Sequence, residues 1–317
     1  MIRIGTRKSK LALWQAHKVQ EELNALGQTS ELVLIESEGD KVLDTPLPLI
    51  GGKGVFTKAL DDALIEGKID LAVHSHKDIP TELPEGITIC SVMERGNPFD
   101  VLVVRKDSGF LNDKDYAGLI ATSSNRRKSQ WIDRYEKHRT CNIRGNVQTR
   151  IKKLRESNWD GAIFAAAGLE RLELSHEIAM VLDWMIPAPA QGAVAVVCRE
   201  DDKETATICQ EFHHKETALC TSIERDFLNK LNGGCSAPIG AYAKVEKGML
   251  KLQTVVMDPN AEIKIEVKLE KDAMLAHNLG IEAAQQALNS GAKDIIDTLP
   301  NEKRLHETGS KRANMDY

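Results

Sequence analysis

The chain has 317 residues, more than one average domain, and this length predicts two or three domains. Hydrophobic residues make up 42% and charged residues 28%, as in an ordinary soluble globular protein, and the net charge of -5 argues against a general nucleic-acid binder. No apolar run suits a membrane span, and the first residues enter a strand-like pattern without a signal peptide. We therefore expect a cytoplasmic protein that binds neither nucleic acid nor membrane. We also expect a monomer.

The first part of the chain alternates short apolar runs with helix-period segments, which is typical of α/β units. Residues 2–4 form the first predicted strand, and Ser9 is placed to cap a helix that ends at Gly27. The predicted apolar face of this helix consists of Leu11, Trp14, Val19, Leu23 and Leu26. The next predicted elements are a strand at 32–36, a helix at 55–67 and a buried strand at 69–75.

A Gly-Asn-Pro break at 96–98 separates two apolar strand patterns and indicates a hinge. A second alternating set follows, with a strand at 119–123, a helix from Ser124, a strand near Ile143, a helix from Val147 and a strand at 161–166. After the segment PAPAQG (187–192), a late strand at 193–199 is predicted to return to the first domain. The chain would then cross twice between two domains.

The pattern changes after Arg199 to that of an α+β domain. It predicts helices at about 203–212 and 215–231, strands near 239–245, 249–257 and 262–268, and a helix at 271–290. The predicted fold class is therefore α/β plus α+β, with three domains and an antiparallel sheet in the smaller C-terminal one. The expected domain limits are 1–96 with a return segment at about 193–212, 99–188, 214–300, and a polar tail at 301–317.

Polar segments lie at five predicted strand-to-helix junctions: GTRKS (5–9), GGKG (51–54), HSHKD (74–78), TSSNRR (122–127) and RGN (144–146). Ligands of open α/β sheets gather at the carboxyl ends of strands, where helix N-termini attract anions. Arginine also pairs with carboxylates through two hydrogen bonds. The cations that point to a ligand with several carboxylates or phosphates are Arg7, Lys53, Lys77, Arg126, Arg127, Arg144 and Arg150.

Two other kinds of site are not favoured. The GGKG segment lacks the remainder of a P-loop, and there is no GxGxxG motif, so the sequence argues against nucleotide binding. His74 and His76 could chelate a metal, but no further ligand set has metal spacing. If the segment is extended, these histidines and Asp78 share one side of it. Asp78 is then either an ordinary polar residue at a strand end or a catalytic carboxylate kept ionised by nearby cations.

The six cysteines show no CxxC pair and are expected to be free thiols. Cys90, Cys198 and Cys220 lie in apolar patterns and are predicted to be inert core residues. Cys235 lies in GGCSAPIG, where two glycines and a proline indicate a tight, exposed turn. From these residues alone, Cys235 is either a reactive thiol or an incidental loop residue.

From Ile4 to about Gly291 the chain resembles the hydroxymethylbilane synthase (porphobilinogen deaminase) family. The strings that carry the resemblance, in matching order and spacing, are TRKSKLALWQA, GDKVLDTPL, GGKGVFTKAL, AVHSHKDIPT, ATSSNRR, IRGNVQTR, AAAGLERL, PAPAQGAVAV, HHKETAL and GGCSAPIG. The resemblance implies two lobes like those of type II periplasmic binding proteins and a third domain. It also implies a transferase of porphyrin and heme biosynthesis, which joins four porphobilinogen molecules head to tail, losing one ammonia each, and releases hydroxymethylbilane by hydrolysis.

The same resemblance assigns roles to individual residues. Cys235 would carry a covalent dipyrromethane cofactor, and Asp78 would be the principal catalytic residue, stabilising cationic intermediates. The resemblance places Lys77, Ser123, Ser124, Arg126, Arg127, Arg144 and Gly145 at the cofactor. It places Arg7, Ser9, Lys53, Arg150, Arg171 and Gln191 at the substrate. It implies no metal and gives His76 no role.

Four positions depart from the usual family pattern: Lys10, Leu49, Ala190 and Ala237. Leu49 stands where a lysine is common, so one carboxylate contact is expected to be missing. Two other functions are possible alternatives to the synthase. A non-catalytic anion-binding protein would leave Cys235 and the third domain without a purpose, and a cysteine hydrolase would need His213 or His214 as its base.

Overall fold

The computed structural model describes residues 1–37, 57–233 and 237–298. The first of its sheets forms the core of the first lobe and has the order β2-β1-β3-β10-β4. Its strands are β1 (Ile2–Thr6), β2 (Ser30–Leu34), β3 (Leu71–Ser75), β4 (Ile87–Val92) and β10 (Val194–Arg199). Strand β1 is parallel to β2 and β3, whereas β10 is antiparallel to its neighbours β3 and β4.

The sheet of the second lobe repeats this arrangement in the order β7-β6-β8-β5-β9. Its strands are β5 (Asp100–Val104), β6 (Leu119–Ala121), β7 (Arg139–Cys141), β8 (Gly161–Ala165) and β9 (Met180–Leu182). Strand β6 is parallel to β7 and β8, and β5 is antiparallel to β8 and β9. In each lobe the antiparallel fourth strand, β10 or β5, directly follows a crossing between the lobes, at 183–193 or 93–99.

The carboxyl ends of strands in both lobes adjoin these crossings. The chain directly after β3 is hydrogen bonded to the second crossing, from His76 N to Ala193 O at 3.0 Å. The chain directly after β8 is hydrogen bonded to the first crossing, from Ala166 N to Phe99 O at 2.9 Å. Residues at these strand ends therefore come together at the junction of the two lobes.

Helices connect the strands of the two lobes. They are α1 (Lys10–Ala25), α2 (Lys58–Ile65), α3 (Asn125–Arg134), α4 (Val147–Glu156), α5 (Ala166–Glu170) and α6 (Lys203–Gln210). Side chains cap four of them, because Ser9, Ser124, Asn146 and Asp202 each accept a hydrogen bond from a backbone N–H of the first turn. The cap at Ser9 was predicted from the sequence. None of the helices in the described ranges has the length and apolarity to span a membrane.

The C-terminal domain packs three helices against an antiparallel sheet. Its elements are α7 (Lys215–Lys230), β11 (Ile239–Glu246), β12 (Met249–Met257), β13 (Lys264–Asp272), α8 (Leu279–Asn289) and α9 (Ala292–Thr298). Ile223 and Phe227 of α7 and Ala283 of α8 are fully buried in one hydrophobic cluster with Ala241 and Leu252 of the sheet. The fold class predicted from the sequence is confirmed.

Several local predictions were wrong. Trp14 and Leu26 do not belong to the buried face of α1, because their side chains are 37% and 41% exposed. The strand expected near Ile143 ends at Cys141, and the helix expected at 271–290 begins only at Leu279 because β13 runs on to Asp272. HSHKD is not an extended segment, since β3 ends at Ser75 and residues His76–Asp78 form a 3-10 turn.

Candidate active site

A buried carboxylate, Asp100, organises the base of the junction between the lobes. Its Oδ2 accepts a hydrogen bond from Arg126 Nη1 at 2.6 Å, and its Oδ1 accepts one from Arg127 Nε at 2.8 Å. A third donor, Gln191 Nε2, lies 3.0 Å from Oδ1. Burial acts to raise the pKa of Asp100, but the two guanidinium groups outweigh it and hold that pKa well below its usual range. The two guanidinium groups therefore favour the charged form of Asp100.

The two arginines of this cluster are also bonded to backbone carbonyls. Arg126 Nη1 donates to Ile186 O and Arg127 Nη1 donates to Ile163 O, both at 3.0 Å. Both side chains are almost fully buried. The planes of their guanidinium groups are thus fixed by the protein, and their predicted contact with the cofactor would use an already oriented pair of cations.

Lys77 of the first lobe is linked to this cluster through Gln191. Lys77 Nζ donates to Gln191 Oε1 at 3.2 Å, while Gln191 Nε2 also donates to Pro98 O at 2.8 Å. Burial lowers the pKa of Lys77 to about 8, and the positive charges of Arg127 and Arg126 act in the same direction. The amide of Gln191 therefore joins a cation of the first lobe to the carboxylate cluster of the second.

Asp78 lies in the 3-10 turn that follows β3, with its side chain exposed. It faces cations from both lobes, since its negative charge raises the pKa of Lys77 and of Arg150 against the effect of their burial. Burial lowers the pKa of Arg150 to about 10, and Arg127 and Arg144 add to that decrease. Arg150 Nε donates to Gly145 O at 2.7 Å, which orients its guanidinium group.

The loops after β6 and β7 are held together by a serine and shaped by a glycine. Ser123 Oγ donates to Ile143 O at 2.8 Å and accepts from Ile143 N at 2.9 Å. Gly145 has a φ of +115°, and a Cβ at this position would lie 2.7 Å from Thr149 Cγ2. Both features keep Arg144 and the start of α4 in a fixed arrangement next to α3.

Arg171 connects the second lobe to the first. Its Nη2 donates to Gly192 O at 2.6 Å, and its guanidinium carbon lies 5.1 Å from the centre of the Trp14 ring. Arg7 lies beside His74, since burial and then the charge of Arg7 lower the pKa of that histidine to about 4. Ser9 Oγ caps α1 by accepting a hydrogen bond from Ala12 N at 3.2 Å. The hydroxyl that is predicted to contact the substrate therefore also caps this helix.

Two of the predicted site residues, Lys53 and Cys235, lie outside the described residues, as does the departure at Leu49 and the tail at 301–317. The other five cysteines are free thiols, and Cys90, Cys198 and Cys220 are buried as predicted. Against the hydrolase hypothesis, His213 Nδ1 accepts from Val92 N and His214 Nδ1 accepts from Thr217 N, both at 3.1 Å. In both histidines, Nδ1 is therefore engaged by a backbone N–H group.

The charges at the junction suit a ligand with several carboxylates. We call this set of residues the basic cleft, and it consists of Lys77, Asp78, Asp100, Arg126, Arg127, Arg144 and Arg150. Five of the seven are cations and two are carboxylates, so the cleft carries an excess of positive charge in a partly buried setting. A dipyrromethane, whose pyrrole rings carry carboxylate side chains, fits this donor set. Within the described ranges, no group of three His, Cys, Asp or Glu side chains could hold a metal ion.

The fold and the basic cleft define a two-lobed protein with a group of cations at the junction of its lobes, a donor set suited to a ligand with several carboxylates. Two family models match the chain: the porphobilinogen deaminase "dipyromethane cofactor binding domain" over residues 2–207 and the porphobilinogen deaminase C-terminal domain over residues 218–289. The chain belongs to the porphobilinogen deaminase family. It is accordingly a transferase with hydroxymethylbilane synthase activity and a dipyrromethane cofactor.

Curated relatives match nearly the whole chain. The porphobilinogen deaminase of Pelotomaculum thermopropionicum is 41% identical over 307 residues, which cover 96% of this chain and 98% of that protein. The porphobilinogen deaminase of Syntrophotalea carbinolica is 41% identical over 302 residues, covering 94% and 96%. Among solved structures, the methionine binding protein MetQ is 15% identical, covers 67% of this chain and 87% of its own, and has a TM-score of 0.42. The VFT2 domain of BvgS from Bordetella pertussis is 13% identical, covers 68% and 90%, and has a TM-score of 0.40.

Proposed function

We propose that Asp78 is the catalytic carboxylate of this synthase and that Cys235 carries the cofactor. The observation that carries the first assignment is the position of Asp78, which is exposed at the end of β3 and faces Lys77 of its own lobe and Arg150 of the other. A carboxylate at this position can accept a hydrogen bond from a substrate pyrrole N–H and stabilise the positive charge that develops on that ring as ammonia leaves.

The cations of the cleft have the complementary task of binding. We assign the carboxylates of the dipyrromethane to Lys77, Arg126, Arg127 and Arg144, next to Ser123, Ser124 and Gly145. We place Arg7, Ser9, Lys53, Arg150, Arg171 and Gln191 at porphobilinogen and the growing chain. When bound, the dipyrromethane supplies the pyrrole carbon to which the first substrate is joined. Anchoring of several carboxylates orients the reacting ring toward Asp78, which lowers the entropic part of the barrier.

Three further proposals concern the whole protein. Porphobilinogen is the substrate, and the enzyme is a monomer. It acts in the cytoplasm, which its five free thiols among the described residues support. The domain limits are those expected from the sequence, with the cofactor attached to the C-terminal domain. Size-exclusion chromatography with light scattering tests the oligomeric state, and a dimer at micromolar concentration would contradict the monomer.

The cofactor assignment predicts a mass difference that depends on one thiol. Freshly purified, denatured protein should exceed its sequence mass by two deaminated porphobilinogen units, because the thioether survives denaturation. Cys235→Ser should have its unmodified mass and no activity, whereas the control Cys141→Ser should keep the adduct. Intact-mass spectrometry checks all three proteins, before and after incubation with porphobilinogen. An unmodified wild type that remains unmodified after incubation would contradict the proposal.

A further inference from the structure

The turn that carries Asp78 is held by a side chain of the C-terminal domain. Arg225, on the last two turns of α7, donates three hydrogen bonds to carbonyl oxygens: Nη1 to His76 O at 3.3 Å, Nη1 to Ile79 O at 2.8 Å and Nη2 to Pro80 O at 2.6 Å. We propose that Arg225 is a positioning residue that fixes the Asp78 carboxylate by clamping the backbone on both sides of it. This inference rests on the proposed role of Asp78.

The local backbone explains why such a clamp matters. On its upstream side the turn is continuous with β3 and is hydrogen bonded at His76 N to Ala193 O. Its internal bond, from Ile79 N to His76 O, is long at 3.3 Å, and Pro80 has no N–H with which to anchor the chain downstream. Two of the three carbonyl oxygens that accept from Arg225, those of Ile79 and Pro80, lie on this downstream side. Asp78 therefore lies between a rigid strand and a segment that depends on Arg225.

The clamp also connects the catalytic turn to the rest of the C-terminal domain. The preceding residue of α7, Glu224, is fully buried and pairs with Arg95 at 2.6 Å. The same carboxylate accepts from Ala190 N at 2.6 Å and from Ala243 N at 2.7 Å. Adjacent residues of one helix thus bind both lobe crossings, a strand of the C-terminal sheet and the Asp78 turn. A shift of α7 would move the carboxylate relative to the arginines of the second lobe.

Arginine is required for this geometry. Its planar fork presents donors to carbonyls spread over five residues, whereas lysine has a single ammonium group that cannot bridge them in the same way. A misplacement of about 1 Å at a reacting group can reduce the rate by about 100-fold. We therefore expect Arg225→Lys to lower kcat by about 10- to 100-fold with a much smaller change in KM, since most carboxylate contacts come from the other lobe.

The experiment compares Arg225→Lys in the wild-type background and in an Asp78→Asn background. Intact mass confirms that each protein carries its cofactor, thermal unfolding confirms the fold, and single-turnover consumption of porphobilinogen gives the rates. Lys230→Ala removes an exposed cation from the end of the same helix and serves as the matched control with unchanged kcat. If Arg225 acts through Asp78, Arg225→Lys should lower the single-turnover rate by less than about twofold in the Asp78→Asn background.

Two results would overturn the inference: a wild-type kcat in Arg225→Lys, or an equal loss of rate in both backgrounds, which would indicate a general structural role. If Arg225→Lys loses its fold, Arg225→Gln is carried through the same pair of backgrounds and decides the question. These outcomes differ from a failure of the proposed catalytic role, which would show as normal turnover in the Asp78→Asn protein by itself.

Discussion

Replacing Asp78 by asparagine should reduce kcat by about 100- to 1,000-fold while KM stays within about threefold of wild type. The substitution preserves the size of the side chain and a hydrogen-bonding oxygen but removes the negative charge, and loss of one oriented electrostatic contact to a transition state has an effect of this size. KM should change little because the substitution leaves untouched the cations that we assign to the substrate carboxylates. Steady-state and single-turnover kinetics with porphobilinogen measure both constants.

The controls for this prediction separate charge from position. Rates are expressed per cofactor-loaded molecule, as counted by intact mass, because an inactive variant also assembles its cofactor slowly. Glu85→Gln removes an exposed carboxylate a few residues further along the chain and should leave kcat unchanged. The kcat of Asp78→Glu should lie between those of wild type and Asp78→Asn, since glutamate keeps the negative charge but displaces it by one methylene group. A kcat of Asp78→Asn within threefold of wild type would mean that another group stabilises the developing charge.

Much of the site's outline could be predicted because it depends on local signals. Serine before a helix is a short-range pattern, and the structure confirms the predicted cap at Ser9. The grouping of cations at strand ends follows from the α/β topology in the same way. These features can be predicted without knowing which residues distant in sequence are in contact.

The residues that hold the site together were missed because their partners are far away in sequence. Asp100 begins an apolar strand pattern and gives no sign that it binds Arg126 and Arg127, 26 and 27 positions further on. The available signal for Asp100 was its position, directly after a predicted hinge and ahead of an apolar run. Arg225 is separated by more than 140 residues from the turn that it holds, and its sequence context resembles an ordinary helix surface.

Errors in the elements themselves came from the choice of periodicity. Residues 264–270 alternate polar and apolar side chains, so the two-residue period of a strand extends beyond the limit expected at 268, and the strand itself runs on to Asp272. In HSHKD the same alternation was assumed to continue, but the strand ends at Ser75 and the turn buries His76 while exposing Asp78. A turn of three residues is too short to produce a period of its own.

Replacing Asp100 by asparagine should destabilise the protein by about 3–5 kcal/mol, which is the cost of removing one partner from a buried ion pair. Two buried guanidinium groups, Arg126 and Arg127, would then lie side by side without their shared carboxylate. The first transition in urea should move to lower concentration. Asp115→Asn, which breaks the exposed pair with Lys137, is the control and should cost about 0–1 kcal/mol.

The pH dependence of this difference distinguishes a buried ion pair from a loss of packing. Because the folded-state pKa of Asp100 lies far below the value of about 3.9 expected in the unfolded chain, its contribution to stability is complete above about pH 5. It is lost only as the pH falls through the folded-state pKa. The difference in the free energy of unfolding between wild type and Asp100→Asn should therefore stay constant from pH 8 to pH 5 and become smaller in stronger acid. A gap that is unchanged in strong acid would show that the carboxylate stabilises the protein by its shape and not by its charge.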